Sequence, residues 1–232
     1  KQTGTCQDAT SLLQGNLNAG KPKVSCIIED KNKNLWVGTY GSGLYKINLP
    51  TQHVTYYEST RNENDDWSIN RLPNDWISYL LEDKEGMIWI GTYKGLAVLN
   101  PQTDNFINYK KQNNLLPGYV VYSLLESSNG EIWAGTSEGL VCLNKDRLTP
   151  VLFTTADGLP SDIICGLAED EKKNIWISTH QGISKLNPPE KKFINYYAGD
   201  GLQGNEFTRT AVFKDKRGNI FFGGTNGVTA FY

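Results

Sequence analysis

A short motif that joins an apolar residue, an aromatic residue and a glycine-containing turn occurs five times in this chain. It reads LWVGTYGSGL, IWIGTYKGL, IWAGTSEGL, IWISTHQGI and IFFGGTNGV, and its aromatic residues are Trp36, Trp89, Trp133, Trp176 and Phe221. Consecutive copies are 53, 44, 43 and 45 residues apart. A repeat of roughly 40–50 residues with strand-like content is typical of a β-propeller or a related array.

Short apolar segments surround each copy of this motif, which we call the Trp box, in the same order. An apolar stretch that ends in acidic residues precedes it, as in VSCIIED at 24–30. A second apolar stretch and an aromatic segment follow it, as in LAVLN at 96–100 and FINY at 106–109. Such runs, bounded by Gly, Asn, Asp and Pro, indicate strands. Four strands per repeat form one antiparallel blade, which predicts an all-β propeller of about five blades, a partial or unusual one.

The repeated residues of the Trp box are predicted to build the scaffold. The aromatic residue can wedge between neighbouring blades. The glycine two positions later lets two sheets approach closely, although the fourth box has Ser178 there. The glycine that closes the next turn is expected to have a positive φ. These turn glycines are Gly43, Gly95, Gly139, Gly182 and Gly227.

Composition and charge exclude several classes of protein. The 232 residues carry a net charge of −2, so no basic field points to nucleic acid or to an anionic membrane. No run approaches the roughly 20 apolar residues that span a bilayer. The N-terminal sequence has no hydrophobic signal-peptide core. We therefore expect the chain to be a mature product or a cut fragment.

The four cysteines do not have the spacing of a metal site. Cys6, Cys26, Cys142 and Cys165 form no C-x-x-C motif, and the chain has only two histidines. Neither a zinc site nor another cofactor is therefore expected. Cys26, Cys142 and Cys165 are predicted to be small buried hydrophobic residues. Cysteine usage alone does not fix the redox compartment.

Two segments carry a resemblance to a known family. LLEDKEGMIWIGTYKGLAVLN at 80–100 and FTTADGLPSD at 153–162 look like the two-component regulator propeller repeat. Relatives of DGLPSD recur in register as RLPNDW at 71–76 and LLPGYV at 115–120. The resemblance covers about residues 24–232. This family forms the extracytoplasmic sensor of hybrid two-component systems in gut Bacteroides-type bacteria.

The resemblance implies a place in a longer receptor. DGLQGNEF at 200–207 and the sequence at 218–232 resemble the final blade that, in the family, precedes an immunoglobulin-like β-sandwich, a transmembrane helix and a cytoplasmic kinase. The chain would then hold the C-terminal blades of the second propeller of a periplasmic, homodimeric sensor for an oligosaccharide. Residues 1–23 match nothing in the family and are expected to form an N-terminal segment that could supply an outer strand to a neighbouring or closing blade.

The candidate ligand site follows from the direction of the chain. If the acid-ending strand is innermost, the connections that enter it lie on the same face as the turns after the Trp boxes. These turns vary in side chain on a repeated frame, which favours either a ligand site or ordinary solvated loops. Aromatic residues could stack on sugar rings, and arginine is best suited to a uronate carboxylate. The candidate ligand-binding residues are Tyr40, Asp75, Trp76, Tyr93, Tyr119, Asp162, His180, Glu206 and Arg209.

Acidic pairs that end the inner strands could suggest acid–base catalysis. They are Glu29/Asp30, Glu82/Asp83 and Glu169/Asp170. Their recurrence before the inter-strand turn favours a role in turn formation, on the face opposite the candidate site. No catalytic residue is assigned, and the chain is interpreted as a non-enzymatic sensor module whose kinase lies outside it. The alternatives are an assembly or dimerisation module without its own ligand site, and a propeller polysaccharide lyase or lactonase.

Overall fold

The computed structural model of the chain describes residues 22–59, 70–109, 116, 120–144 and 149–232. Within these residues it contains nineteen strands and two short 3-10 helices, at Thr155–Asp157 and Ala198–Asp200. None of the described helices is long and apolar enough to cross a membrane. The strands form five antiparallel sheets, which confirms the predicted all-β propeller of about five blades.

The strands of each blade follow one another in chain order. Blade 1 contains β1 (Val24–Glu29), β2 (Asn34–Thr39), β3 (Leu44–Asn48) and β4 (Val54–Tyr57). Blade 2 contains β5 (Ile77–Glu82), β6 (Ile88–Thr92), β7 (Gly95–Asn100) and β8 (Asn105–Tyr109). Blade 3 contains β9 (Val121–Glu126), β10 (Ile132–Thr136), β11 (Gly139–Leu143) and β12 (Pro150–Phe153). Blade 4 contains β13 (Ile164–Glu169), β14 (Ile175–Thr179), β15 (Gly182–Asn187) and β16 (Lys192–Tyr196). Blade 5 contains β17 (Phe207–Lys214), β18 (Ile220–Gly224) and β19 (Gly227–Phe231).

The first strand of each blade lies at the centre of the propeller. β1 contacts β5, β5 contacts β9, β9 contacts β13 and β13 contacts β17. β17 also reaches β9, two blades away. The acid-ending strand is therefore innermost, as the sequence predicts, and the strand order within each sheet runs from the centre outwards.

The tryptophan of each Trp box packs between two blades. Trp36 is fully buried and lies in a cluster with Ile77 and Leu80 of blade 2. Trp89, Trp133 and Trp176 lie in the equivalent clusters between the following blades. Truncating such a residue to alanine costs about 3–5 kcal/mol, because the neighbouring sheets cannot fully close the cavity. The predicted wedge is thus confirmed for the four tryptophans, whereas Phe221 of blade 5 lies beside Phe213 on the face turned away from blade 4.

In blades 1 to 4, close approach to the next blade is secured by a glycine in one cross-strand pair. A Cβ on Gly38 would lie 2.7 Å from both Cys26 Sγ and Ile77 Cγ2. In blade 4 the glycine has changed strands, because Ser178 of the Trp box faces Gly166 of the inner strand. The departure at Ser178 is therefore compensated in the same pair. The four pairs are Cys26–Gly38, Tyr79–Gly91, Ser123–Gly135 and Gly166–Ser178.

The turn after each Trp box is closed by a glycine in the left-handed region. The φ angles of Gly43, Gly95, Gly139, Gly182 and Gly227 are 67°, 124°, 134°, 115° and 137°. The prediction of positive φ is confirmed. In blades 1 to 4 the box threonine donates its hydroxyl to the carbonyl oxygen of this glycine, at 2.8–3.0 Å. Every turn on this face therefore starts from the same backbone geometry.

Blade 5 differs from the others in the described part of the chain. It has three strands, and β17 begins at Phe207, before the strand that the sequence indicates at 210–215. Phe213 and Val228 are 63% and 64% exposed. The outer strand that residues 1–23 were expected to supply falls almost wholly outside the described residues and stays a prediction. Pro150 begins β12, the outermost strand of blade 3, where a proline removes no hydrogen bond to a further strand.

Candidate functional site

One backbone hydrogen bond fixes the turns of the candidate face in all five blades. The donor is the backbone amide of the residue that follows the Trp-box strand. The acceptor is the carbonyl oxygen of the residue that directly precedes the inner strand of the same blade. The distances are 2.8–3.3 Å. We call these residues the pinned pairs: Tyr40–Lys23, Tyr93–Trp76, Ser137–Val120, His180–Ile163 and Thr225–Glu206. Ten different side chains thus stand on one repeated frame.

Three aromatic side chains from pinned pairs meet at the junction of blades 1 and 2. The ring centroids are 6.1 Å apart for Tyr40 and Trp76, 6.4 Å for Tyr40 and Tyr93, and 5.6 Å for Trp76 and Tyr93. All three contacts are edge-to-face, the geometry that aromatic pairs prefer. Their exposed fractions are 43%, 49% and 36%. We call these three residues the aromatic trio. Three of the nine candidate residues, far apart in sequence, thus lie together.

Tyr122 of blade 3 and Arg209 of blade 5 form a second contact, between the inner strands β9 and β17. The Arg209 guanidinium lies over the Tyr122 ring, with Cζ 4.4 Å from the ring centroid. Burial raises the pKa of the Tyr122 phenol, while Arg209 lowers it and Tyr93 raises it. The strand that carries Tyr122, β9, contacts β6 of blade 2 and β17 of blade 5. Tyr122 is not among the residues predicted from the sequence, although its β9 position varies as the turns do.

Asp75 and Asp162 hold the loops of the candidate face. Asp75 Oδ1 accepts from the Ser59 amide at 2.6 Å, and Asp162 Oδ1 accepts from the Thr155 amide at 2.7 Å. Asn205 does the same for Ala198 in the next connection. Hydrogen bonds of this kind order a loop. These two candidate residues thus have a structural function that the sequence analysis did not identify.

The remaining candidates are spread over blades 4 and 5. His180 is half-buried, Glu206 is exposed, and both belong to pinned pairs. Neither side chain has an aromatic or hydrogen-bond contact with the trio among the described residues. Tyr119 lies outside the described residues, and its role stays a prediction.

The acidic residues that end the inner strands perform structural tasks on the opposite face. Asp30 Oδ2 accepts from the Trp36 indole at 2.8 Å and from Asn34 Nδ2 at 2.8 Å. Burial acts to raise the pKa of Asp30, but the hydrogen bonds from Trp36 and Asn34 outweigh it and the pKa is lowered. Asp83 and Asp170 accept from Trp89 and Trp176 in the same way, at 2.8 and 2.9 Å. The prediction that these acids serve turn formation is confirmed.

The glutamates that end β5, β9 and β13 each join their blade to the preceding one. Glu82 of blade 2 accepts from the Lys31 amide of blade 1 at 3.2 and 3.1 Å. Glu126 accepts from the Lys84 amide at 2.9 Å, and Glu169 from the Ser128 amide at 2.8 Å. A carboxylate that receives backbone amides in this way is a charge-assisted acceptor. We call this contact the inter-blade clasp.

The described residues contain few groups suited to metal binding or to nucleophilic catalysis. No group of three or more His, Cys, Asp or Glu side chains in it could hold a metal ion. Burial raises the pKa of Cys26 to about 11 and that of Cys142 and Cys165 to about 12. Thiols with such pKa values are protonated near neutral pH and are poor nucleophiles. Cys142 and Cys165 are buried, as predicted, while Cys26 is half-buried.

A cavity of about 290 Å³ lies away from the aromatic trio, on the acidic-turn side between blades 4 and 5. Its lining includes Lys172, Lys185 and Arg217 together with Asp170 and Glu171. Charges of both signs line it, so it has no single electrostatic preference. The aromatic trio is instead an open surface, which suits a long ligand lying across the blades.

Comparison with known families gives a match to the repeat itself. Residues 20–41, 71–94, 115–138 and 158–181 match the family model described as two component regulator propeller. Each segment ends within the turn that follows a Trp box, so it includes one pinned pair. Comparison with curated proteins found no match.

Solved structures share the fold. The extracellular domain of the hybrid two component system BT3049 from B. thetaiotaomicron has 30% sequence identity and a TM-score of 0.80, over 93% of this chain and 28% of that chain. The extracellular domain of BT4673 from the same organism has 20% identity and a TM-score of 0.76, over 96% and 30%. A gluconolactonase from Xanthomonas campestris has 11% identity and a TM-score of 0.58, over 89% and 71%. The last two likenesses show the fold alone.

The chain spans less than a third of the length of the two receptor domains that it resembles. Its repeats, its Trp boxes and its blade architecture agree with the family match and with the 30% identical receptor domain. The chain therefore belongs to the proteins built from two-component regulator propeller repeats.

Proposed function

We propose that this chain is part of the extracytoplasmic sensor of a hybrid two-component receptor and that it recognises a glycan-derived oligosaccharide without transforming it. The kinase, the β-sandwich and the membrane anchor of such a receptor lie outside this chain. The similarity to the extracellular domain of BT3049 supports the receptor context. The aromatic trio supports the ligand class.

The observation that carries the proposal is the exposure of three touching aromatic rings on a rigid frame. Single exposed apolar residues are common on protein surfaces, but a cluster of them marks a binding site. Sugar rings present apolar C–H faces that pack on aromatic rings, while their hydroxyl groups need polar partners at the rim. Tyr40 and Tyr93 supply hydroxyl groups next to the exposed face of Trp76.

Signal transfer requires that the ligand bind two receptor states unequally. The trio joins two blades, because Tyr40 belongs to blade 1 and Trp76 and Tyr93 belong to blade 2. A sugar that contacts both blades would favour the arrangement of blades 1 and 2 in which it can contact all three rings at once. The resulting change would pass to the parts of the receptor outside this chain.

A thermal-shift screen against plant, host and microbial oligosaccharides tests this function. A ligand that binds the folded state raises the unfolding midpoint by mass action. We expect a hit whose affinity falls at least about tenfold in Trp76→Ala, because a central aromatic contact typically contributes more than about 1.4 kcal/mol. The matched control is Phe213→Ala, which removes an exposed aromatic ring outside the trio. Equal loss in both variants, or no hit with folded protein, would contradict the proposal.

A second function, assembly without a ligand site, is favoured by one observation. Phe213 and Val228 of blade 5 are more than half exposed and lie with Phe221 on the face turned away from blade 4. A face of this kind is usually covered by another blade or subunit. Under this alternative Phe213→Ala would weaken self-association, measured by light scattering on an eluting column, and Trp76→Ala would leave it unchanged.

A further inference from the structure

We propose that Arg209 forms an anion subsite beside the aromatic trio and that the ligand is an acidic saccharide, whose carboxylate or sulfate ester binds the Arg209 guanidinium. This inference rests on the proposed function, because it specifies the chemistry of the same oligosaccharide site. It goes beyond that function because it predicts that neutral sugars are poor ligands.

An unusual bulge of β17 projects Arg209 from blade 5. In blades 1 to 4 the pairing of the inner strand skips a single residue near its start, as at Ser78 between Ile77 and Tyr79. In blade 5 the register jumps from Phe207 to Val212, so the bulge is longer. β-Bulges commonly occur next to functional sites, where they redirect a side chain.

The bulge also contains a residue in an unfavourable backbone conformation. Thr210, directly after Arg209, has a φ of 63°. The left-handed region is disfavoured for a β-branched residue, and such strain persists only where the surrounding structure enforces it. Residues of this kind cluster at binding sites. The strain at Thr210 is an observation separate from the contacts of Arg209, and it also favours a binding site at the β17 bulge.

The guanidinium of Arg209 makes a cation–π contact with the buried Tyr122 ring, with Cζ 4.4 Å from the ring centroid. Among the described residues no carboxylate forms an ion pair with Arg209 and no acceptor hydrogen-bonds to it. Glu206 lies three residues earlier, and its charge and that of Arg209 both act on the Cys165 thiol without forming such a pair.

A free guanidinium held on an aromatic ring is suited to bidentate anion binding. Its planar fork matches the two oxygens of a carboxylate or a sulfate. Tyr122 lies between Arg209 and blade 2, because its strand β9 contacts both β17, which carries Arg209, and β6, which leads into Tyr93. A saccharide lying on the trio would thus extend an acidic group along Tyr122 towards Arg209.

Paired ligands that differ in charge alone test the inference by isothermal titration calorimetry. The probes are a galacturonic acid trimer with a galactose trimer, and sulfated N-acetylglucosamine with the unsulfated sugar. We expect at least one acidic probe to bind about 10- to 100-fold more tightly than its neutral counterpart, since this is the usual contribution of a charge-assisted hydrogen-bond pair. The pair that shows the difference identifies the anion as a carboxylate or a sulfate.

Variants of Arg209 complete the test. Arg209→Gln is expected to remove the preference for the acidic probe, and Arg209→Lys to keep part of it, because lysine retains the charge without the planar fork. Arg217→Gln is the matched control, since Arg217 is exposed on the opposite face and lies near Asp215. All variants are first shown to unfold at the wild-type midpoint.

Three outcomes would overturn the inference, and they are distinguishable. Equal binding of acidic and neutral probes, unchanged by Arg209→Gln, would overturn the anion subsite and leave the proposed oligosaccharide function standing. No binding of any saccharide by the folded protein would overturn both. A preference for acidic probes that Arg217→Gln removes as effectively as Arg209→Gln would place the anion elsewhere.

Discussion

No described residue accepts a hydrogen bond from the buried indole N–H of Trp133, and Ser127 stands at the position that an accepting aspartate occupies in other blades. In blades 1, 2 and 4 an aspartate six positions before the tryptophan accepts this N–H, at 2.8–2.9 Å. The Ser127 hydroxyl instead donates to the carbonyl oxygen of Glu131 at 3.0 Å. Blade 3 thus lacks one hydrogen bond that three other blades have.

We expect Ser127→Asp to stabilise the protein. An aspartate here would satisfy the Trp133 N–H, which as a buried unpaired donor costs about 1–3 kcal/mol. The free energy of unfolding, measured in urea near neutral pH, should rise by about 1–2 kcal/mol. The control is the same substitution in a Trp133→Phe background, where no N–H exists. A gain of equal size in that background would show that the indole is not the cause.

Acid should destabilise the propeller through its turn aspartates. Burial acts to raise the pKa of Asp170, but its hydrogen bonds from Asn174 and Trp176 outweigh it, so the pKa is lowered, as it is for Asp30. A lowered pKa gives stability that is full above the unfolded value of about 3.9 and is lost as the pH falls through the folded value. The urea midpoint should therefore fall below about pH 4. The urea midpoint of Asp30→Asn should fall less steeply with decreasing pH than that of the wild type. An identical pH dependence in the two proteins would show that Asp30 does not contribute to the acid destabilisation.

Gly135→Ala should destabilise the contact between blades 3 and 4. A Cβ at this position would lie 2.6 Å from Ile164 Cγ2 and would also overlap the Ser123 hydroxyl. Overpacking of this kind costs about 1–3 kcal/mol. Gly199→Ala is the control, because a Cβ there meets nothing within 4 Å. Equal unfolding midpoints for the two variants would show that blade spacing is not set by this glycine.

The buried thiols should be inert in the native protein. Burial raises the pKa of Cys142 and Cys165 to about 12, so the thiolate fraction near pH 8 is very small. The measurement uses a Cys6→Ser background, which removes the cysteine outside the described residues. In buffer, Ellman's reagent should react only slowly with the remaining thiols. In denaturant, it should react with all three of them. Rapid reaction of Cys142 or Cys165 in buffer would mean that the blade contacts open readily.

The inter-blade clasp should make Glu82 more important than Glu29. Glu82 receives the Lys31 amide of the neighbouring blade, whereas Glu29 is exposed and pairs with Lys33 at 2.8 Å. We expect Glu82→Ala to lower the free energy of unfolding by about 1 kcal/mol. Glu29→Ala should change it by less than about 0.5 kcal/mol, as is usual for an exposed pair. A larger effect at Glu29 would contradict the clasp.

The sequence predicts the blades because their determinants are local and repeated. The spacing of Trp36, Trp89, Trp133 and Trp176, and the turn glycines after them, define strands and turns in register. The compensation of Ser178 by Gly166 could not be predicted in the same way, because it depends on which residues face each other across two strands. Pairing of that kind is set by register, which a repeat pattern indicates only approximately.

The candidate site was predictable to a smaller extent. The chain direction places Tyr40, Trp76 and Tyr93 on one face, and the structure brings them into contact. The sequence alone could not show that Asp75 and Asp162 hold loops, because their hydrogen-bond partners lie 16 and 7 residues away in sequence. Tyr122 was missed because its contact with Arg209 crosses from blade 3 to blade 5 and depends on the β17 bulge.

The pinned pairs have a consequence for how such proteins change over time. Each pair is joined through backbone atoms, so the same bond forms whether the side chain is tyrosine, serine, histidine or threonine. All ten positions are exposed or half-buried, and such positions tolerate substitution at little cost in folding free energy. Selection can therefore exchange the residues that meet a ligand one blade at a time, while the tryptophan wedges and glycine contacts keep the fold intact. Specificity and stability are thereby inherited through separate sets of residues.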